Sequence, residues 1–361
     1  MPRKTRPVLR GQAIDVTLVF DGHNDALGRL WCGSTDPVVD FARPVGHINV
    51  PQARAGGLGG GFFALFSPQQ RKPFTFDAFA EDELDVPLPA ALEQGTALVA
   101  AIGQAGIAHQ LQAAGHLRIC TDAETLARSF LDKPLACVLH LEGADCIGPD
   151  LLALDTLYAL GLRSLGLVWS RPTVFGHGVP FRHGSDGDTG PGLTADGKRL
   201  VARCLELGLT VDTSHLTMKG FWDVGEAGAP LVATHSNACA IANNARNLTD
   251  AQLRAIGETG GMVGLNFASM FLNHDGWTTA QANLDDCLRH LDHMMKVAGE
   301  DHVGIGSDFD GAPLPQGIAS AADLPKLIGA MERHGYGAAL IAKLAHENWL
   351  DFLSRQLGSG G

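Results

Sequence analysis

Eight short apolar segments, most of them separated by stretches of helical periodicity, constrain this chain more than any other feature. They are Val16 to Phe20, Gly61 to Phe66, Ala136 to Leu141, Arg163 to Val168, Leu209 to Thr213, Leu231 to Thr234, Met262 to Phe267 and Val303 to Ser307. Several are near-continuous apolar runs, as expected of parallel strands covered on both faces. Helices are expected at Leu88 to Gly115, Leu151 to Leu160, Asp250 to Glu258 and Leu284 to Gly299, and in pieces from Ala321 to Leu357. One connector shows the local logic: Thr194 is a fitting N-cap, Leu200, Val201, Cys204 and Leu205 form an apolar stripe, and Gly208 ends the helix. Eight strands with helical crossovers predict an α/β fold of the (β/α)8 TIM-barrel kind rather than an open sheet. No Pro/Ser-rich linker and no internal repeat divides the chain. Residues 1–361 therefore read as a single barrel domain, with C-terminal helices from about 321 and a long insertion at 170–192 rich in Gly, Pro, Asp and His.

Composition narrows the class. With 45% hydrophobic and 18% charged residues the chain can bury a large core, and 27 basic against 39 acidic side chains leave a net charge of −12. That balance argues against a phosphate-neutralising surface, so no nucleic-acid partner is expected. No stretch approaches the roughly 20 uninterrupted apolar residues of a membrane helix, and no signal-peptide apolar run follows the basic start MPRKTRPVLR. A cytoplasmic chain with no membrane partner is the expectation. Its seven cysteines are odd in number and lack any C-x-x-C pair, which predicts small buried hydrophobes rather than disulfides or a thiolate metal site. Any self-association is expected to be a homodimer, the commonest closed assembly.

Ionisable residues gather at the C-terminal ends of the strands, where a parallel barrel carries its active site. The first strand leads into Asp21-Gly22-His23-Asn24-Asp25, the third into His140-Leu141-Glu142, the fifth into Asp212-Thr213-Ser214-His215, the sixth into Thr234-His235-Ser236 and the eighth into Ser307-Asp308-Phe309-Asp310. In a closed barrel His23, Asp25, Glu142, His215, His235 and Asp308 would meet at one mouth. Three imidazoles and three carboxylates without a thiolate suit Zn²⁺ or a similar first-row ion and are too nitrogen-rich for Ca²⁺ or Mg²⁺. They are too many for one tetrahedral ion, so two ions sharing a carboxylate and a hydroxide are expected. His23 and Asp25 alternate on one strand end and can bind one ion; Glu142 is the natural bridge; His215 and His235 are left to the other. Asp308 is either a further ligand or a general base.

The segments DGHNDAL, HLEGAD, GLTADGKRLV, DTSH, THSNA, RNLTD and GSDFDG resemble the membrane dipeptidase (renal dipeptidase) family of metallopeptidases in order and separation, over about residues 16–312. The resemblance implies an amidohydrolase-type barrel with two zinc ions that hydrolyses small dipeptides, often with a D-residue at the C-terminal position. It implies that His23 and Asp25 bind one zinc, Glu142 bridges, His215 and His235 bind the other, Asp308 is the catalytic acid/base, and Arg246 grips the substrate carboxylate. An arginine fork suits that last role. The chain departs from the family where a carbonyl-holding histidine is expected after strand four, for here stands Leu167-Val168-Trp169-Ser170. Either His177 or His183 on the following loop substitutes or the metal alone polarises the carbonyl, and Trp169 could wall a pocket that favours small side chains such as alanine.

Other signals are weaker. His140 shares the strand face of Glu142 and is either a partner of the metal ligands or a satisfied core histidine; Asp21, Asn24 and Asp212 are similar cases. His290 and His293 share a helix flank, and neighbouring Arg289 and Asp292 predict a solvated face there. The GGLGGG run at 56–61 precedes a strand rather than following one, which predicts close packing, not a phosphate loop. No G-x-S-x-G elbow is present. Two alternatives stay open: another amidase of the same barrel, acting on N-acyl-D-amino acids or lactams, or a metal-holding scaffold without turnover. Asp308 and Arg246 argue against the scaffold.

Overall fold

A computed structural model describes residues 16–72, 85–132, 134–273 and 282–358. Its centre is a parallel barrel of eight strands: β1 (Val19–Asn24), β2 (Leu58–Phe66), β3 (Leu135–Glu142), β4 (Leu162–Gly166), β5 (Thr210–Asp212), β6 (Val232–Ala233), β7 (Met262–Leu265) and β8 (Val303–Ile305). Neighbours run β2-β1-β8-β7-β6-β5-β4-β3, and β3 closes the ring against β2 through seven consecutive pairs from Gly60–Ala136 to Phe66–Glu142. A short strand, Leu117–Ile119, extends the lower edge of β3, and Asp85–Val86 pairs antiparallel with Phe181–Arg182 of the long insertion. The eight-strand reading of the sequence is correct.

Strand ends differ from expectation in an informative way. β1 begins at Val19 and runs on through Asp21-Gly22-His23-Asn24, and β3 runs through Glu142, all buried. Polar residues were expected to follow these strands, but within the barrel mouth they find partners and continue the ladder. Asp21 shows how: its Oδ1 accepts from the Ser307 amide at 2.7 Å and its Oδ2 from Ser307 Oγ at 2.8 Å, tying β1 to the end of β8. β2 starts early, taking in the glycine run. A Cβ at Gly60 or Gly61 would stand well under 3.0 Å from the backbone oxygen of Ala136 or Asp21, so the neighbouring strands can approach only glycine here.

The crossover helices follow local signals. Thr194 Oγ1 accepts from Gly197 N and opens the helix Ala195–Glu206, with Leu200, Val201 and Cys204 buried and Leu205 half-buried. Thr249 with Gln252 and Asn283 with Asp286 form capping boxes at Asp250–Glu258 and Leu284–Ala298. The helix expected from Leu88 spans Gln94–Ala113.

Phe20, Phe62, Val138, Val232 and Met262 point into the barrel and continue downward into Trp349 and Phe352 of the C-terminal helix Asn348–Leu357. Trp349 is wholly buried and donates its indole N–H to Ile305 O at 2.9 Å, sealing the end opposite the polar mouth. No helix among the described residues is long and apolar enough to cross a membrane.

Candidate functional site

The closed ring brings all six mouth residues together, and all are buried. His23 Nε2 lies 3.4 Å from Asp25 Oδ2 and 3.8 Å from Glu142 Oε2. Glu142 Oε1 lies 3.1 Å from His215 Nε2 and 3.5 Å from His235 Nε2, and these two imidazole nitrogens are 3.2 Å apart. The rings of His23 and His235 stack at 3.8 Å. Ligand atoms of His23, Glu142 and His235 fall within 4.8 Å of one another, as do those of His23, Asp25 and Asp308. His23 thus belongs to both groups, with Glu142 and His235 in one and Asp25 and Asp308 in the other. Neither ring nitrogen of His23 has a hydrogen-bond partner despite complete burial, a cost that a bound cation would relieve. The donor set fits divalent first-row ions.

Electrostatics reflect crowded carboxylates. Burial raises Glu142 to about 8 and lifts Asp308 above the usual carboxylate range. Burial works against a charged His23, yet Glu142, Asp25 and Asp308 hold its pKa up to about 10. Burial, with the charges of Arg246 and His23, pushes His215 and His235 well below the ordinary histidine value, which leaves the neutral imidazoles that metal binding requires.

A second layer orients these groups. Thr234 Oγ1 lies 2.6 Å from Asp212 Oδ2 and 2.8 Å from His235 Nδ1. Its single proton goes to the carboxylate, so it accepts from Nδ1–H of His235, and Nε2 presents a lone pair to the mouth. Asp212 also accepts from the amides of Ser214 and Thr234, bracing β5 against β6. His140, buried between Ser164 Oγ at 2.9 Å and Asp212 at 3.5 Å, is a core histidine that touches this brace. Asn266 Nδ2 donates to Asp308 Oδ2 at 3.0 Å. His215 and Asp308 adopt left-handed φ of 67° and 59°, rarely populated conformations that aim both side chains inward.

Arg246 is buried beside His215. Its Nε donates to His215 Nδ1 at 3.1 Å, Nη1 to Ser236 Oγ at 2.9 Å and Nη2 to His235 O at 2.9 Å. Trp169 packs at the mouth, its ring 5.3 Å from Phe66, 5.6 Å from Phe181 and 5.8 Å from His215. His183 sits on the insertion, its Nδ1 3.3 Å from Asn244 Nδ2, and Asn244 in turn accepts from the Arg246 amide. His177 is half-buried and gives its carbonyl to Thr217 N. The structure brings neither ring of these two into the Glu142 cluster.

Sequence reasoning missed Asn266, Ser170, Thr234 and the buried pair Arg171–Asp145. Arg171 Nε donates to Asp145 Oδ1 at 2.8 Å and Nη2 to Ser67 O at 2.6 Å, locking the loops after β2, β3 and β4 together. The solvated face expected at His290 is corrected. His290 lies on the apolar flank with Cys287, Leu291 and Met294, accepts from Ala238 N at 3.1 Å and lies 3.0 Å from Leu272 O; only His293 is outward, paired with Asp250.

Comparison with known proteins gives concordant matches. The sequence profile of the membrane dipeptidase family (peptidase family M19) matches residues 12–356. A metallo-peptidase from Rhodobacter sphaeroides, liganded with a phosphinate mimic of the dipeptide L-Ala-D-Ala, is 47% identical, with 95% of this chain and 100% of that one covered at a TM-score of 0.91. Dipeptidase AC, a metallo-peptidase of family M19, is also 47% identical, with the same coverage and a TM-score of 0.91. An uncharacterised protein from the pqqA 5′ region of Klebsiella pneumoniae is 44% identical over 248 residues, 68% of this chain and 90% of the relative.

Proposed function

The chain belongs to the membrane dipeptidase family and is a metallo-dipeptidase, and from that premise we propose that it is a zinc enzyme hydrolysing the peptide bond of small dipeptides. The observation that carries the reading is the convergence of Glu142 with the Nε2 atoms of His23, His215 and His235 in a buried cluster. His23 and Asp25 would hold one ion, His215 and His235 the other, and Glu142 both. Bound zinc would supply Lewis acidity toward the scissile carbonyl and toward an attacking water.

The other roles belong to the chain. Asp308 takes the proton of the attacking water and passes it to the leaving amine; with Oδ2 held by Asn266, Oδ1 is the oxygen left to carry it. Arg246 keeps a second N–H on each Nη after its contacts to Ser236 and His235, and these face the substrate carboxylate. Trp169, braced by Phe66 and Phe181, narrows the pocket toward residues the size of alanine, in keeping with the L-Ala-D-Ala mimic bound by the Rhodobacter relative. His177 and His183 belong to the loop wall of that pocket. We read the chain as one catalytic domain, and its seven unpaired cysteines favour a cytoplasmic location.

The test measures metal content and hydrolysis of a panel of small dipeptides before chelation, after it and after zinc is returned. Activity should disappear on chelation and return with zinc. Two bound metal equivalents with no dipeptide cleaved would overturn the reading, and cleavage confined to N-acylated amino acids would replace it with the amidase alternative.

A further inference from the structure

Two groups compete for one nitrogen of His215. Its Nδ1 lies 2.9 Å from Ser170 Oγ and 3.1 Å from Nε of Arg246. A guanidinium N–H can only donate, so in this arrangement Nδ1 offers its lone pair to Arg246 and the ring proton sits on Nε2. The far side of the ring agrees. Nε2 lies 3.1 Å from Glu142 Oε1 and 3.2 Å from Nε2 of His235, and the Thr234–Asp212 contact leaves that His235 nitrogen a lone pair. The lone pair of His235 is an acceptor for a proton on His215 Nε2. A ligating imidazole needs the opposite tautomer, with Nε2 free and the proton on Nδ1.

Ser170 Oγ can receive that proton. Ser170 is wholly buried, and its hydroxyl has no other hydrogen-bond partner among the described residues. Its backbone is held by its neighbour Arg171, which is fastened to Asp145. Arg246 is equally confined: Ser236 and the His235 carbonyl fix its two terminal nitrogens, so Nε is the contact that a change at His215 would break.

We propose that Ser170 is a positioning residue of the metal centre, which accepts the Nδ1 proton of His215 when Nε2 takes an ion, against the opposing Nε–H of Arg246. One N–H bond at Nε2 is lost and one at Nδ1 is formed, so the ring stays neutral and its proton count does not change. Ser170 and Arg246 therefore oppose each other in setting zinc affinity.

The inference rests on His215 being a ligand, and the experiment separates the two ideas. Zinc alone is titrated into metal-free full-length protein against a competing chelator. Ser170→Ala should bind zinc about 10- to 100-fold more weakly than wild type, and Ser170→Thr should recover most of the loss. In parallel, long-range proton–nitrogen spectra of histidine-labelled wild type should show His215 as the Nε2–H tautomer without zinc and as Nδ1–H with it. This arm does not depend on any variant folding. Nδ1–H in both states, or Ser170→Ala binding zinc within twofold of wild type, would overturn the inference and leave the dipeptidase reading intact. A wild-type protein that binds no zinc would overturn both.

Discussion

Gly311 offers a substitution whose effects on fold and on chemistry should diverge. It closes the turn after β8, its amide donating to Asp308 O at 3.0 Å. A Cβ placed there would stand well under 3.0 Å from both Asp25 Oδ2 and Asp308 Oδ1. Ordinary contact begins at 3.4 Å, so in Gly311→Ala each carboxylate oxygen must withdraw by about 1 Å. The obstructing atoms are ends of side chains rather than backbone. The fold should therefore lose only what modest overpacking costs, about 1–3 kcal/mol. The Asp308 carboxylate cannot retreat freely, because its Oδ2 is held by Asn266, and the Asp25 backbone cannot shift with its side chain, because its amide is bonded to Phe309 O at 2.8 Å. If Asp25 is a ligand and Asp308 the proton carrier, a displacement of about 1 Å should cost on the order of 10²-fold in turnover.

The assay pairs kcat for a small dipeptide at saturating zinc with a thermal melt and a metal count. A cooperative melt a little below wild type should accompany the hundredfold loss. A Gly311→Ala enzyme retaining a third or more of wild-type turnover would refute the crowding argument. A protein that no longer melts cooperatively would refute the claim that the carboxylates yield before the backbone does.

Asp308→Asn should retain its metal and lose about 10²- to 10⁴-fold in kcat; near-normal turnover would mean that another group carries the proton. Arg171→Met strands Asp145 as a buried charge and should cost about 3–5 kcal/mol in urea unfolding, while Arg171→Met with Asp145→Leu should cost much less; equal losses would show that charge burial is not the cause. His290 is held down to about 4 by burial, against an ordinary 6.5. Unfolded chains take up that proton first, so its contribution is whole above pH 6.5 and fades as pH falls through 4, to a limit of about 3 kcal/mol. His290→Gln should flatten that part of the stability profile, measured by urea unfolding between pH 7 and 4.5, and parallel profiles would contradict the assignment.

The strand rhythm and the residues of the mouth are readable because both depend on residue type at a known place in a repeating unit. Where a βα pattern is clear, the C-terminal ends of strands are the mouth, and His23, Asp25, Glu142, His215, His235 and Asp308 lie there. Strand limits are less readable because a polar residue reads as a stop; Asp21 is polar but bonded across the barrel to Ser307, so β1 continues through it. His290 reads as solvated in the sequence because of charged neighbours that face away from it around the helix. Contacts such as Arg171 to Asp145 join residues 26 apart and leave no local pattern.

The part of the site that stayed hidden is the part that sets where protons sit. Ligand identity follows from residue type, but whether an imidazole nitrogen shows a proton or a lone pair depends on what faces its other nitrogen. Thr234 and Ser170 are both hydroxyls against Nδ1 of a mouth histidine, and in the sequence they are equivalent. They differ because Asp212 claims the Thr234 proton and commits His235 to a lone pair at Nε2, while Arg246 drives its N–H against the nitrogen that Ser170 shares. If both are ligands, His235 is set for a metal ion in advance and His215 only once the ion arrives. That asymmetry comes from what the ends of β4, β5 and β6 set against each Nδ1, and it makes His215, rather than His235, the histidine whose ring proton zinc binding would move.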